Sequence, residues 1–121
     1  MDIVHTALWV SDLEATKRFY EEDLGLEMTR EFTGDDGIVN YFVAGESETE
    51  LQFKYDPDGD RSVDPGDFEH TAVTVADIDA IVQHVEEESA GRVVDGPIPF
   101  GDIRIAFAED PDGWGLEFIE E

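Results

Sequence analysis

The chain has 121 residues, 40% of them hydrophobic and 11% aromatic, which suits one ordinary domain with a real core. Its 32 Asp and Glu against 7 Lys and Arg give a formal charge of −25, a surface that repels nucleic acid and anionic membranes and removes both from the expected partners. The absence of cysteine excludes disulfides, thiolate metal sites and a cysteine nucleophile; no apolar run approaches the roughly 20 residues of a membrane helix, and Met1-Asp2-Ile3-Val4-His5 lacks the flank and core of a secretory signal, so a cytoplasmic location is expected.

The first predicted strand leads through His5 to Val10, with Ile3, His5, Ala7 and Trp9 on one face and Val4, Thr6, Leu8 and Val10 on the other. A helix over residues 12–23 follows, with Ser11 and Glu14 as a capping box, Leu13, Phe19 and Tyr20 as a loose apolar stripe, and Gly25 in the C′ position. Strands are then expected over residues 27–33, 38–44 and 50–55, the first two joined by a turn at Gly34-Asp35-Asp36-Gly37. The segment 56–67 is rich in Asp, Pro and Gly and reads as a linker inside one domain. Its Asp56-Pro57-Asp58-Gly59-Asp60 run is a poor calcium loop, because the glycine comes two places early and Asp67 stands where a terminal Glu is needed.

The next strand and helix repeat the first. His70-Thr71-Ala72-Val73-Thr74-Val75-Ala76-Asp77-Ile78-Asp79-Ala80 matches the eleven residues from His5 to Ala15 at an offset of 65. Asp77 is a good N-cap, Ile78, Ile81, Val82 and Val85 form one apolar face, and Gly91 ends the helix. Strands over residues 92–95, 103–108 and 115–119 complete the copy, with Asp110-Pro111-Asp112-Gly113 as a turn. The fold class is therefore α+β: two tandem β-α-β-β-β modules, about 1–57 and 68–121, joined by a linker at about 58–67 and forming a curved mixed sheet. One helix cannot cover both faces of its sheet, so the halves must pack together, within the chain or across a dimer, and leave a concave face.

Acidic residues interleave with aliphatics and eight Phe, which favours a folded protein over a disordered one. Two lysines against so many acids fit a halophilic cytoplasm, where molar salt shortens the Debye length to about 3 Å; an acidic protein of ordinary salt is the alternative.

Chemistry concentrates on the sheet. His5 and His70 each lie on the first strand of a module, and Glu50 and Glu117 each lie on the last, 45 and 47 residues further on. Alternation puts Glu50 with Gln52 and Lys54, and sets Glu117 opposite Leu116 and Phe118. A single strand histidine is usually not a ligand. Two imidazoles and two carboxylates at repeat-related positions are a suitable set for a divalent transition metal, leaving two octahedral positions for substrate oxygens. His84 beside the apolar stripe is expected in solvent, Trp114 after a turn glycine in packing, and Tyr41, Phe42 and Phe53 in the core.

The chain resembles the glyoxalase I (lactoylglutathione lyase) family of the vicinal oxygen chelate superfamily over nearly its whole length. The residues that carry the resemblance are His5-Thr6 with the helix after it, Leu24-Gly25-Leu26, Glu50-Leu51, His70-Thr71-Ala72, and the run from Ile105 through Asp110-Pro111-Asp112-Gly113 to Glu117. The resemblance implies metal ligation by His5, Glu50, His70 and Glu117, with nickel or cobalt favoured and zinc or manganese possible. It implies isomerisation of a methylglyoxal–thiol hemithioacetal to a lactoyl thioester through an enediolate, a detoxifying reaction, with Glu117 as base and Glu50 as partner carboxylate. It also implies a homodimer whose sites take His5 and Glu50 from one chain and His70 and Glu117 from the other.

The chain departs from the family in its cations. Trp9 stands where a basic residue usually meets a carboxylate of glutathione, and the loop 96–101 lacks a common lysine. Lys54 and Arg104 remain candidates for binding a substrate anion. A thiol without the glycine carboxylate, such as γ-glutamylcysteine, is therefore expected to serve at least as well as glutathione. The rivals on the same fold are an acyl-CoA epimerase, an extradiol-type dioxygenase, a thiol transferase and a non-catalytic small-molecule-binding protein; Glu50 counts against the first two.

Overall fold

A computed structural model describes residues 1–59 and 61–121. The chain divides into two compact units, Met1–Val63 and Asp64–Glu121, with the division inside the expected linker. Asp60, the last acid of the weak calcium motif, lies outside the described residues; Asp56 closes a local turn, its Oδ1 accepting from the Asp58 N–H at 3.1 Å. Among the described residues no helix is long and apolar enough to cross a membrane.

The first unit contains β1 (His5–Trp9), α1 (Leu13–Lys17), a π-helical stretch (Arg18–Asp23), β2 (Glu27–Thr33), β3 (Val39–Ala44) and β4 (Glu50–Tyr55). The sheet order is β1-β4-β3-β2, with β1 parallel to β4 and the other pairs antiparallel. Leu8, Tyr41 and Phe53 point to the helical side, where Phe19 and Tyr20 cover them and Tyr20 meets Phe53 at a ring separation of 4.5 Å. Truncating Phe53 to Ala would open a cavity costing about 3–5 kcal/mol.

Two local expectations are corrected. Asp12, not Ser11, caps α1: its Oδ1 accepts from the Ala15 N–H at 3.0 Å while its backbone stays extended. The helix over residues 12–23 is α-helical only to Lys17 and then widens, Leu24 N–H donating to the Phe19 carbonyl at 2.9 Å. The wider turn re-aims the chain so that the consecutive residues Phe19 and Tyr20 are both fully buried.

The second unit contains β5 (Thr71–Thr74), α2 (Ile78–Glu88), β6 (Arg92–Phe100), β7 (Ile103–Glu109) and β8 (Gly115–Glu120), in the order β5-β8-β7-β6. The same β-α-β-β-β path recurs, with β5 parallel to β8. Asp77 caps α2 by accepting from the Ala80 N–H at 3.1 Å, and Ile78, Val82 and Val85 are buried with Ala106, Ala108, Leu116 and Phe118. Most of the expected loop 96–101 is instead the continuation of an edge strand, which ends at Phe100. Register shifts between Val93 and Asp95 and between Asp95 and Ile98 absorb Gly96-Pro97, as bulges and edges allow for proline. Gly96 has φ +90°, and a Cβ there would stand 2.8 Å from the Ile105 carbonyl oxygen, so only glycine fits. The architecture is thus two four-stranded mixed sheets, one per unit.

Candidate metal centre

In the first unit the β1–β4 register sets His5 opposite Glu50, Ala7 opposite Gln52 and Trp9 opposite Lys54. Cross-strand partners share a face, so these residues lie on the side of the sheet away from Leu8 and Phe53. Gln52 pairs with Phe42, and Phe42 with Arg30, which continues this row across the sheet. The His5 imidazole meets Phe42 edge-on at 5.6 Å. The Glu50 carboxylate finds its partners on β2: the Thr29 hydroxyl donates to Oε2, and the Arg30 guanidinium is 3.4 Å from Oε1. Arg30 itself lies over Phe42 with 4.0 Å between guanidinium carbon and ring centre.

In the second unit His70 immediately precedes β5, and Glu117 stands opposite Ala72. The two side chains meet diagonally, Nε2 of His70 lying 3.3 Å from Oε1 of Glu117. Nδ1 of His70 is buried without a hydrogen-bond partner; Glu69 approaches it at 3.5 Å, too far for a good bond. Phe107 meets His70 edge-on at 5.8 Å, matching the contact of Phe42 with His5.

The remaining candidates fall in two places. Trp9 is flanked by cations, the Lys54 ammonium 5.3 Å from its ring centre and the Arg61 guanidinium carbon 3.8 Å from it. Arg104 faces α2, on the opposite side of its sheet from Glu117. Its two terminal nitrogens each donate to Asp79 at 2.9 Å, with Glu120 at 3.8 Å. The hydrogen bonds from Arg104 hold the Asp79 carboxyl below its ordinary range, and those bonds raise Arg104 in turn. Arg104 is thereby bound to the helix rather than presented beside His70. His84 pairs with Glu88 along α2 at 3.5 Å, and Trp114 packs edge-on against Phe68 at 5.2 Å. Sequence reasoning missed Thr29, Arg30 and Arg61, whose positions follow from cross-strand register and loop path rather than from any local pattern.

Two β-α-β-β-β modules, each with one imidazole and one carboxylate on the sheet face away from its helix, define a vicinal oxygen chelate scaffold. The family described as Glyoxalase/Bleomycin resistance protein/Dioxygenase superfamily matches residues 2–118. The lactoylglutathione lyase of Haemophilus influenzae is 37% identical, over 99% of this chain and 93% of its own. The crystal structure of a glyoxalase I variant from Zea mays superposes with a TM-score of 0.84 at 28% identity, covering 97% of this chain but only 43% of the maize chain. The trypanothione-dependent glyoxalase I of Leishmania major gives the same TM-score of 0.84 at 25% identity, covering 100% of this chain and 87% of that one. The chain belongs to this superfamily and is an enzyme of the glyoxalase I type.

The family implies a divalent metal, and the residues here fit one. A neutral imidazole nitrogen and a carboxylate oxygen turned toward each other need a proton or a cation between them. Neighbouring ligands about 2.1 Å from one ion are about 3.0 Å apart at octahedral angles and about 3.4 Å at tetrahedral ones; the 3.3 Å between His70 and Glu117 lies within that range. Imidazole with carboxylate also suits borderline divalent transition ions. Among the described residues no group of three or more metal-ligating side chains comes together; His5 and Glu50 lie in the first unit, and His70 and Glu117 in the second.

Proposed function

We propose that the protein converts the hemithioacetal of methylglyoxal and a small thiol into the lactoyl thioester. His5, Glu50, His70 and Glu117 would hold one divalent ion, nickel or cobalt in preference to zinc or manganese. Each site would draw His5 and Glu50 from one chain and His70 and Glu117 from the other chain of a homodimer. The observation that carries this reading is the meeting of His70 with Glu117 at 3.3 Å, together with the repeat-related pair His5 and Glu50 in the other module.

When bound, the ion supplies Lewis acidity to two adjacent substrate oxygens. Glu117 takes the proton from the carbon bearing sulfur and delivers it to the neighbouring carbonyl carbon. The hydroxyl proton crosses to the other oxygen, so the reaction is an isomerisation that consumes no oxidant or reductant. Glu50 remains the partner carboxylate. Trp9 and Lys54, on the His5 face, would meet the thiol moiety. The charge of −25 suits work in a cytoplasm of molar salt.

The test is an assay of methylglyoxal with glutathione and with γ-glutamylcysteine in high salt, across nickel, cobalt, zinc and manganese, following thioester formation. Lactoyl thioester formed only with metal and thiol together is the expected result. Metal-loaded protein that forms none with either thiol would overturn the reading.

A further inference from the structure

We propose that Arg30 is a positioning residue that commits Glu50 to the role of fixed ligand and leaves proton transfer to Glu117; this rests on the metal reading above. The two modules make the comparison internally. Phe42 touches His5 and pairs across the sheet with Arg30, whereas Phe107 touches His70 and pairs with Asp95. Equivalent positions on β2 and β6 thus hold opposite charges. Glu50, with a side chain only 14% exposed, has both oxygens engaged from β2, Oε2 by the Thr29 hydroxyl and Oε1 by Arg30. Arg30 is held in turn by stacking on Phe42, which is 2% exposed. Each carboxylate oxygen has more than one lone-pair direction, so the Thr29 hydrogen bond and the Arg30 ion pair can both persist while Glu50 binds an ion. Glu117 meets the His70 imidazole at 3.3 Å instead, and Asp95 offers it no cation.

An ion pair whose arginine is 50% exposed adds little to fold stability. Its effect belongs in the orientation of Glu50, as with other residues that hold a metal ligand from behind, whose loss typically costs 10–100-fold in metal affinity. The experiment measures nickel affinity of the metal-stripped protein by competition with a chromophoric chelator, alongside the melting temperature. Arg30→Met should weaken nickel binding 10–100-fold with little change in melting temperature, and Arg30→Lys should recover part of the loss. In a Glu50→Gln background Arg30→Met should add nothing. Unchanged affinity in a folded Arg30→Met, or an equal loss with and without Glu50, overturns the proposal. If Arg30→Met does not fold, Arg30→Lys and Thr29→Val decide in the same way: unchanged affinity in both overturns it. Wild-type protein that binds no nickel overturns the metal reading itself, whereas weakening by Glu50→Gln but not by Arg30→Met overturns only the role of Arg30.

Discussion

Nε2 of His70 stands 3.3 Å from Oε1 of Glu117 although Glu117 is opposite Ala72 in the strand register. The diagonal reach brings the candidate base to the imidazole. Glu117→Gln is nearly isosteric, so the melting temperature should hold. It removes the negative ligand and the proton carrier together, so kcat should fall by at least the 10²–10⁴-fold typical of lost proton transfer. A variant with near-native kcat would remove Glu117 from the chemistry.

Metal dependence is checked by stripping. Dialysis against a strong chelator should abolish activity, and one equivalent of nickel or cobalt per chain should restore it. His5→Ala and His70→Ala should each lower bound metal in elemental analysis. Full activity in protein shown to be metal-free would contradict the ligand set.

Trp9 itself supplies no cation for a thiol carboxylate, but Lys54, already a candidate for an anion, and Arg61 both pack over its ring. If that pair receives a carboxylate, Arg61→Ala should lower kcat/KM for the glutathione substrate far more than for the γ-glutamylcysteine one. A charged hydrogen bond worth about 1.5–3 kcal/mol corresponds to about 10–150-fold in selectivity. Equal losses for both thiols would place the carboxylate elsewhere.

The fold makes its own pH prediction. The buried Tyr41 hydroxyl donates to Glu21 at 2.6 Å. Burial first, then the bond to Glu21 and its charge, push the phenol well above its ordinary range. A group raised in the folded state stabilises fully below its unfolded value, near 10, and loses that contribution as pH rises beyond it. Tyr41→Phe should therefore cost about 1.5–3 kcal/mol at neutral pH. Above about pH 10 urea midpoints should converge, because the wild type loses stability faster. Parallel curves would show that Tyr41 does not titrate with unfolding.

Sedimentation across salt concentration addresses assembly. A dimer is expected in molar salt, loosening in dilute buffer where the charge of −25 is unscreened. A monomer at every salt concentration that is still active would rule out a site shared between chains.

The modules were legible because they are written twice. The match of His5–Ala15 to His70–Ala80 aligned the capping residues Asp12 and Asp77 more reliably than the capping-box pattern, which pointed to Ser11. Strand alternation placed Glu50 with Lys54 correctly. Helix widening after Lys17 left no local mark, since the burial of both Phe19 and Tyr20 depends on the sheet beneath. Gly96-Pro97 read as a loop because proline breaks a ladder, and only the bulged edge pairing with β7 accommodates it. Arg104 meets Asp79 across 25 residues, and Arg30 meets Glu50 across 20. Such pairings follow from register, which spacing alone does not reveal.

The parallel pairings bear on how the modules assemble. Strands β2 to β4 and β6 to β8 are joined in sequence by antiparallel contacts, which form with short loop closures. By contrast, β1 must reach β4 and β5 must reach β8 over the 45 residues separating His5 from Glu50 and Ala72 from Glu117. Closing so long a loop costs more chain entropy and slows the step. The histidines ride on or beside those two strands, so each imidazole is expected to meet its carboxylate only in the closing stage of folding. Until then the inner edges of β4 and β8 stand open to pairing with another chain. A nascent or heat-stressed protein is accordingly most prone to aggregate in the interval before its histidines and their cross-strand carboxylates are brought together.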